Sequence, residues 1–568
     1  MRPQVKSKWL GRHLLCMIAT LLFYCSASSA PLPPLLKAPD RGYFDIVKSI
    51  DLLGEVYREL SNSYVDTLNV SELMYAGIDG MLHTLDPYTV FLDEEDSGEL
   101  DEMTSGQYVG IGITIASLDG ATYITSVVDG YPAANAGIRA GDQIIAINDR
   151  EVRKTTLAQV KAMIKGSAGT PLKLRIERQA SPSLTVSVKR QEVRVSAVSY
   201  SSIIDGIGYV EMKSFGARSA EEVRVALQSL LRQAAEEHQP LKGIVLDLRN
   251  NPGGLLNAAV DVASLFVNKG SLVLSIRGRS AKSDTTYVTA NPPLDAALPL
   301  AILINTESAS AAEIVAGAIQ DLDRGVIIGE RSYGKGLVQS VVRISYDSAL
   351  KLTTAKYYTP SGRLIQKESE EDSQPRHVVP KSNREKLSRV FYTRGRRKVY
   401  GGGGIMPDIP LPESPSSAYL SELGKKGMLF LFSTEYRATH PDMPSLPLER
   451  NTLMTSFSNF LSDRKFHYKS DSETRFEALK ESMKSSSAAS NEGEGVKSLG
   501  EVELEVERLK DREIARESEA VAQSLEEEII RHYSESLARK AQLSHDPVFK
   551  KAIELLSDSR RYSAALHP

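Results

Sequence analysis

Ser308 and Ser310 lie in Asn305-Thr-Glu-Ser-Ala-Ser-Ala-Ala-Glu-Ile314, after an apolar strand, Leu300-Ala-Ile-Leu-Ile, and before a helix with apolar positions at 314, 315, 318 and 319. Two roles suit a serine there. Capping the helix is the commonest. A nucleophile is the other: Ala309 and Ala311 leave room for a substrate carbonyl, and a helix N-terminus favours developing negative charge. The second role requires a base. His83 and His238 are the histidines between the leader and residue 370, and each sits in a helical stretch without turn context. Lys335 remains, flanked by glycines twenty-five residues after Ser310. Burial can lower a lysine pKa from about 10.4 towards 7, roughly 4 kcal/mol for three units. Lys335 then deprotonates Ser310, and Gln339, polar in an apolar strand, orients the neutral amine.

The stretch around this lysine, Gly329-Glu-Arg-Ser-Tyr-Gly-Lys-Gly336, is one residue short of a phosphate-binding loop. That reading fails twice. Gly336 replaces the hydroxyl that would ligate Mg²⁺, and Leu337-Val-Gln-Ser-Val-Val predicts a strand where a helix N-terminus is needed. A third stretch, Asp247-Leu-Arg-Asn-Asn-Pro-Gly-Gly254, ends an apolar strand in paired glycines before an amphipathic helix. Exposed N–H groups there suit a phosphate nest, half of an oxyanion hole, or a plain βα turn.

These stretches need elements to hold them. In 568 residues, 41% hydrophobic and 25% charged, several soluble domains are expected. Helical periodicity covers 44–100, with a second helix from about Ser71 to Leu82. Short alternating strands with glycine turns follow over 106–190, then α/β texture with strands Gly243-Ile-Val-Leu-Asp-Leu, Leu300 to Asn305 and Val326-Ile-Ile-Gly. The expected fold is α/β and α+β, multidomain. Its parts are a helical N-terminal segment (31–105), a small β domain (106–190), an α/β core (191–415) with a charged insertion near 366–400, and a helical charged C-terminal region (416–568) with a linker near 484–500.

At the N-terminus, Arg2, Lys6, Lys8 and Arg12 precede an apolar run ending in small residues before Pro31, a secretory-signal pattern over 1–30. An uncleaved leader acting as a membrane anchor is the alternative. Cleavage takes the net charge from −3 to −7, which disfavours nucleic acid. It also removes Cys16 and Cys25, leaving no thiol nucleophile, disulfide or Cys-ligated metal.

Tyr108-Val-Gly-Ile-Gly-Ile-Thr-Ile and Tyr131-Pro-Ala-Ala-Asn-Ala-Gly-Ile-Arg-Ala-Gly-Asp-Gln-Ile-Ile-Ala-Ile-Asn resemble a PDZ domain. That resemblance implies a loop, Gly110, Ile111, Gly112 and Ile113, whose N–H groups take a peptide's terminal carboxylate. It also implies an added peptide strand, with Val160 and Ile164 lining an apolar pocket. With Leu85-Asp-Pro-Tyr-Thr, the Asp247 to Gly254 stretch, Ser308-Ala-Ser-Ala-Ala-Glu-Ile and Tyr333-Gly-Lys-Gly-Leu-Val-Gln, the chain resembles the C-terminal processing peptidases over about 44–366 and 401–409. This implies Ser310 as nucleophile, Lys335 as base, Gln339 as its orienter, and the N–H groups of Gly254 and Ala311 as oxyanion hole. The implied function is an exported, periplasmic serine endopeptidase acting on proteins with apolar C-terminal tails, without metal or cofactor. A homo-oligomer and an adaptor are left open. The alternative is an inactive PDZ scaffold or chaperone-like tail binder.

Overall fold

The computed structural model describes residues 41–567 except 281, 283, 368–388, 413–416 and 487–492. The leader lies outside the described residues. The described residues 41–83 form one unit, containing the helices Arg41–Ser63 and Val70–Leu82. Asn69 caps the second, its side chain accepting from the N–H groups of Ser71 and Glu72.

The expectation of helix through residue 100 needs correction. Asp86 Oδ1 accepts from Tyr88 and Thr89 N–H, both at 2.9 Å, making a turn at Pro87 where a helix cannot continue. A strand, Val90–Leu92, follows it, and helix Glu94–Ser105 comes next. The segment 31–105 is therefore not wholly helical.

Between 107 and 194, the strands Ile113–Leu118, Ala121–Val127, Gln143–Ile147, Pro171–Glu177 and Leu184–Lys189 form an antiparallel sheet in that order. Pro171–Glu177 alternates exposed and buried residues, its Leu172, Leu174 and Ile176 facing the core. The strand Gln107–Gly110 pairs with Gln191–Arg194 where the chain enters and leaves. Leu118 and Tyr123 pack on a helical bundle made from Ala418–Lys425, Met428–Thr439, Arg450–Asp463 and the long helix Gly493–Arg531.

The core is a six-stranded sheet in the order Val198–Ile204, Ile207–Met212, Gly243–Asp247, Leu300–Ile304, Val326–Gly329, Ile409–Pro410, parallel after its first pair. Its central strands read as continuous apolar runs because both faces are covered. Ile244, Leu246, Leu300, Ile302 and Ile304 face the helices Ser219–Glu236, Leu256–Ser264 and Ala311–Asp321. Val245, Ala301, Leu303, Val326 and Ile328 face the last helices of the chain, Glu535–His545, Pro547–Ser557 and Ser559–Leu566. The C-terminal region thus divides: part is a bundle, and its final 34 residues include a layer of the core. Buried charge joins that layer to the sheet. Arg249 bonds Asp247 at 2.6 Å and Asp546 at 2.5 Å, and Arg539 bonds Glu211 at 2.5 Å.

A second sheet carries the lysine. Leu337–Arg343 pairs with Ala349–Tyr358, which also pairs with Val90–Leu92 and Leu272–Gly278.

Two expected boundaries shift. The charged insertion does not reach residue 400: Val390–Tyr392 and Lys398–Tyr400 form a hairpin, and buried Arg397 ties it down through Asp323 at 2.7 Å and Asp408 at 2.5 Å. Residues 368–388 lie outside the described residues. The linker near 484–500 is helical where described, at the end of Asp471–Ser486 and the start of Gly493–Arg531, although Ser485, Ser486, Gly493, Gly495 and Gly500 are poor helix formers.

Candidate active site

Two loops from different sheets meet at the end of the parallel sheet. The first follows Leu300–Ile304. Ser308, fully buried, accepts from Asn305 N–H at 2.9 Å and donates to the Leu248 carbonyl at 2.8 Å, pinning the turn to the neighbouring strand. Ser308 is therefore structural. Ser310, half-buried, has φ +54° and ψ −113°, a left-handed backbone that costs a non-glycine residue about 1–3 kcal/mol. Such strain at a strand-to-helix elbow is how a nucleophile is presented above a sheet.

The second loop carries Lys335 into the strand Leu337–Arg343. Its flanking glycines serve close backbone approach: a Cβ on Gly336 would lie 2.8 Å from Gln366 N. No helix N-terminus follows, so the phosphate-loop resemblance ends there.

Two buried groups lock the loops together. Glu313 accepts from Ser310 N–H at 2.8 Å, Gly334 N–H at 2.7 Å, Lys335 N–H at 2.9 Å and Ser332 Oγ–H at 2.5 Å. Burial pushes its carboxyl up, and these donors pull it back. From the other side, the buried Tyr357 hydroxyl donates to the Lys335 carbonyl at 2.5 Å and the Ser310 carbonyl at 3.2 Å. One carboxylate gathers the N–H groups and one phenol the carbonyls.

Lys335 Nζ donates to Gln339 Oε1 at 3.1 Å, and among the described residues Ser310 Oγ is not its hydrogen-bond partner. Catalytic hydrogen bonds often close only with substrate in place. Burial pushes the lysine pKa down to about 8, helped by the like charge of Lys351 and opposed by Glu313 and Asp86.

Beside Ser310 runs the Asp247 to Gly254 stretch. Gly253 has φ +100°, and a Cβ there would lie 2.8 Å from Ser310 Cβ and 2.9 Å from Ala311 N. Nearby donors are mostly engaged: Gly253 N–H on Asn251 Oδ1, Leu255 N–H on the Phe215 carbonyl, and Ser310 N–H on Glu313. Those of Gly254 and Ala311 have no acceptor among the described residues.

Residues 206–374 match the model of peptidase family S41. A "Carboxy-terminal-processing protease" of Bartonella bacilliformis is 37% identical over 320 residues, 56% of this chain and 73% of that protein. The chain belongs to the carboxy-terminal-processing proteases.

In this protease, residues 123–178 match a PDZ domain, 39–96 the "Activating protease CtpB N-terminal domain", and 419–556 the "Probable PDZ-protease, C-terminal helical domain". The "Carboxy-terminal processing protease CtpA" of Bacillus subtilis is 34% identical over 319 residues, 56% of this chain and 66% of that protein. The solved "Photosystem II D1 C-terminal processing protease" is 28% identical, with a TM-score of 0.34, covering 64% of this chain and 92% of its own.

The PDZ residues are placed unevenly. Gly110 ends its strand, Gly112 has φ +79°, and Ile113 opens a strand paired on one side only, with Ala121–Val127. The Ile111 side chain is buried in the domain core, and so are Val160 and Ile164, which do not line an open pocket because helix Leu157–Ile164 packs closely on its sheet. Sequence reasoning missed Glu313 and Tyr357. Glu313 carried a signal, since Ser followed three residues later by Glu is a capping box. Tyr357 carried none.

Proposed function

We propose that the chain is an exported serine endopeptidase that holds a protein's C-terminal tail in its PDZ domain and cleaves nearby with a Ser310–Lys335 dyad. The observation carrying this reading is the double lock of Glu313 and Tyr357, which fixes a strained Ser310 beside a half-buried lysine whose pKa is lowered to about 8.

Ser310 Oγ attacks the scissile carbonyl and its proton passes to neutral Lys335. The tetrahedral oxygen gains its negative charge beside the N–H groups of Gly254 and Ala311, each worth about 3–4 kcal/mol in such a site. Lys335 then protonates the departing amine, leaving an acyl-enzyme that water opens through the same lysine. At pH 7 roughly a tenth of the lysine is neutral, enough for turnover. A tail binder with an idle core would need neither the strain at Ser310 nor a lowered lysine. Export is proposed from the basic and apolar pattern of residues 1–30, with the periplasm as destination.

Tail capture is tested with paired substrates. At sub-saturating concentration, an unstructured protein ending in a free carboxylate after apolar residues should be cleaved about tenfold faster than the same chain amidated. Equal rates would remove carboxylate capture from the reading while leaving the dyad intact.

A further inference from the structure

The Leu85-Asp-Pro-Tyr-Thr turn is fastened to the sheet that carries the lysine. Asp86 takes Tyr88 N–H and Thr89 N–H at 2.9 Å, Thr89 Oγ–H at 3.0 Å and Thr353 Oγ–H at 3.2 Å. Thr353 N–H donates to Thr89 Oγ at 3.2 Å, and Val90–Leu92 continues as a strand on Ala349–Tyr358. The turn is thereby rigid, and Tyr88 projects from it towards the site.

Tyr88 meets the lysine apparatus in three ways. Its carbonyl accepts from Gln339 Nε2 at 2.7 Å. An amide whose NH₂ is engaged by a carbonyl presents its oxygen on the other side, here 3.1 Å from Lys335 Nζ. Its ring centre lies 4.9 Å from Lys335 Nζ. Its hydroxyl lies near Tyr333, two residues before the lysine, and Gln366.

We propose that Tyr88 is a positioning residue for the reaction: its carbonyl fixes the orientation of Gln339, and its ring shields the Lys335 amine from water. This rests on the reading of Lys335 as general base. Fixing Oε1 towards the amine holds one N–H and so constrains where the lone pair points. The ring acts in two opposed ways. As apolar cover it disfavours the ammonium form, while its negative face attracts an ammonium. The other groups facing Nζ are Lys351 from the neighbouring strand, Glu313 from the helix and Asp86 from the turn. All persist when Tyr88 is replaced. Desolvation is the largest cause of the lowered lysine pKa, and a ring centred 4.9 Å from Nζ is part of that cover.

The test is the pH dependence of kcat/KM for a peptide substrate. Wild-type activity should rise with pH through about 8, since the neutral amine is the active form. Tyr88→Ala admits water, so the apparent pKa should rise by about one unit. Activity then falls about tenfold at pH 7 and largely recovers near pH 10. Tyr88→Phe keeps ring and backbone and should hold the wild-type pKa, whereas Tyr88→Leu keeps cover without the charged face and should titrate lower. A Tyr88→Ala profile superimposable on wild type, or lowered equally at every pH, would overturn the proposal. Should that variant fail to fold by circular dichroism, the Phe and Leu variants decide, and equal pKa values in those two would overturn the ring's contact with the amine. Retention of turnover by Lys335→Ala would instead sink the dyad reading itself.

Discussion

Ser310→Ala and Lys335→Ala each leave an unstructured substrate protein intact, with kcat/KM lowered by about 10⁴-fold or more. Nucleophile and base act as a unit, so losing either forfeits nearly the whole effect, and the double variant should be no worse than the single ones. The remaining machinery does not compensate. Gly254 and Ala311 stabilise an oxyanion only once an attack has occurred, and Glu313 and Tyr357 hold backbone groups of the two loops. Ser308→Ala makes a poor silent control. Its hydroxyl is buried between Asn305 N–H and the Leu248 carbonyl, so that substitution lowers stability by about 1–3 kcal/mol. Quantitative digestion by the purified variants checks the expectation. Near-normal turnover by Lys335→Ala would refute the dyad.

Removing residues 535–568 should abolish the folded state of the protease core, although this stretch lies 200 or more residues from Lys335 in sequence. Val548, Phe549, Leu555, Leu556, Tyr562 and Leu566 are buried on the face of the parallel sheet formed by Tyr209, Val245, Leu303, Val326 and Ile328. Each large apolar side chain contributes about 1.5–3 kcal/mol on burial, so their joint loss matches or exceeds the 5–15 kcal/mol by which a domain is stable. Truncation also strips Arg249 of Asp546 and the Leu300 backbone of its Tyr562 partner. Phe549→Ala alone should cost about 3–5 kcal/mol. Soluble yield and thermal unfolding report both. A truncated chain that melts cooperatively near the full-length temperature would show this layer to be dispensable.

What was legible in the sequence followed from local physics. Gly243-Ile-Val-Leu-Asp and Leu300-Ala-Ile-Leu-Ile read as strands because burial on both faces makes their runs apolar, with Asp247 at the end of the first. Lys335 stood out because glycines bracket it, whereas His83 and His238 have none beside them; the expectation that these two histidines lie within helices needs correction, since both sit in the turns that end them. Features that depend on distant partners were hidden. Tyr357 reaches Ser310 across 47 residues, and a polar hydroxyl on a strand gives no sign of which carbonyl it will meet. An amphipathic helix such as Pro547–Ser557 shows that it buries a face but not on what. Val90–Leu92 is too short for alternation to register. Val160 and Ile164 show helical spacing, which cannot separate a core face from a pocket wall.

The most direct measurement is intact-mass spectrometry of the protease mixed with an activated ester of a short apolar peptide, followed by peptide mapping. The expected result is a transient mass increase equal to the acyl group, mapped to Ser310. It should be absent from Ser310→Ala and form slowly in Lys335→Ala. An adduct on any other residue, or one of equal size and rate in Ser310→Ala, would contradict Ser310 as the nucleophile.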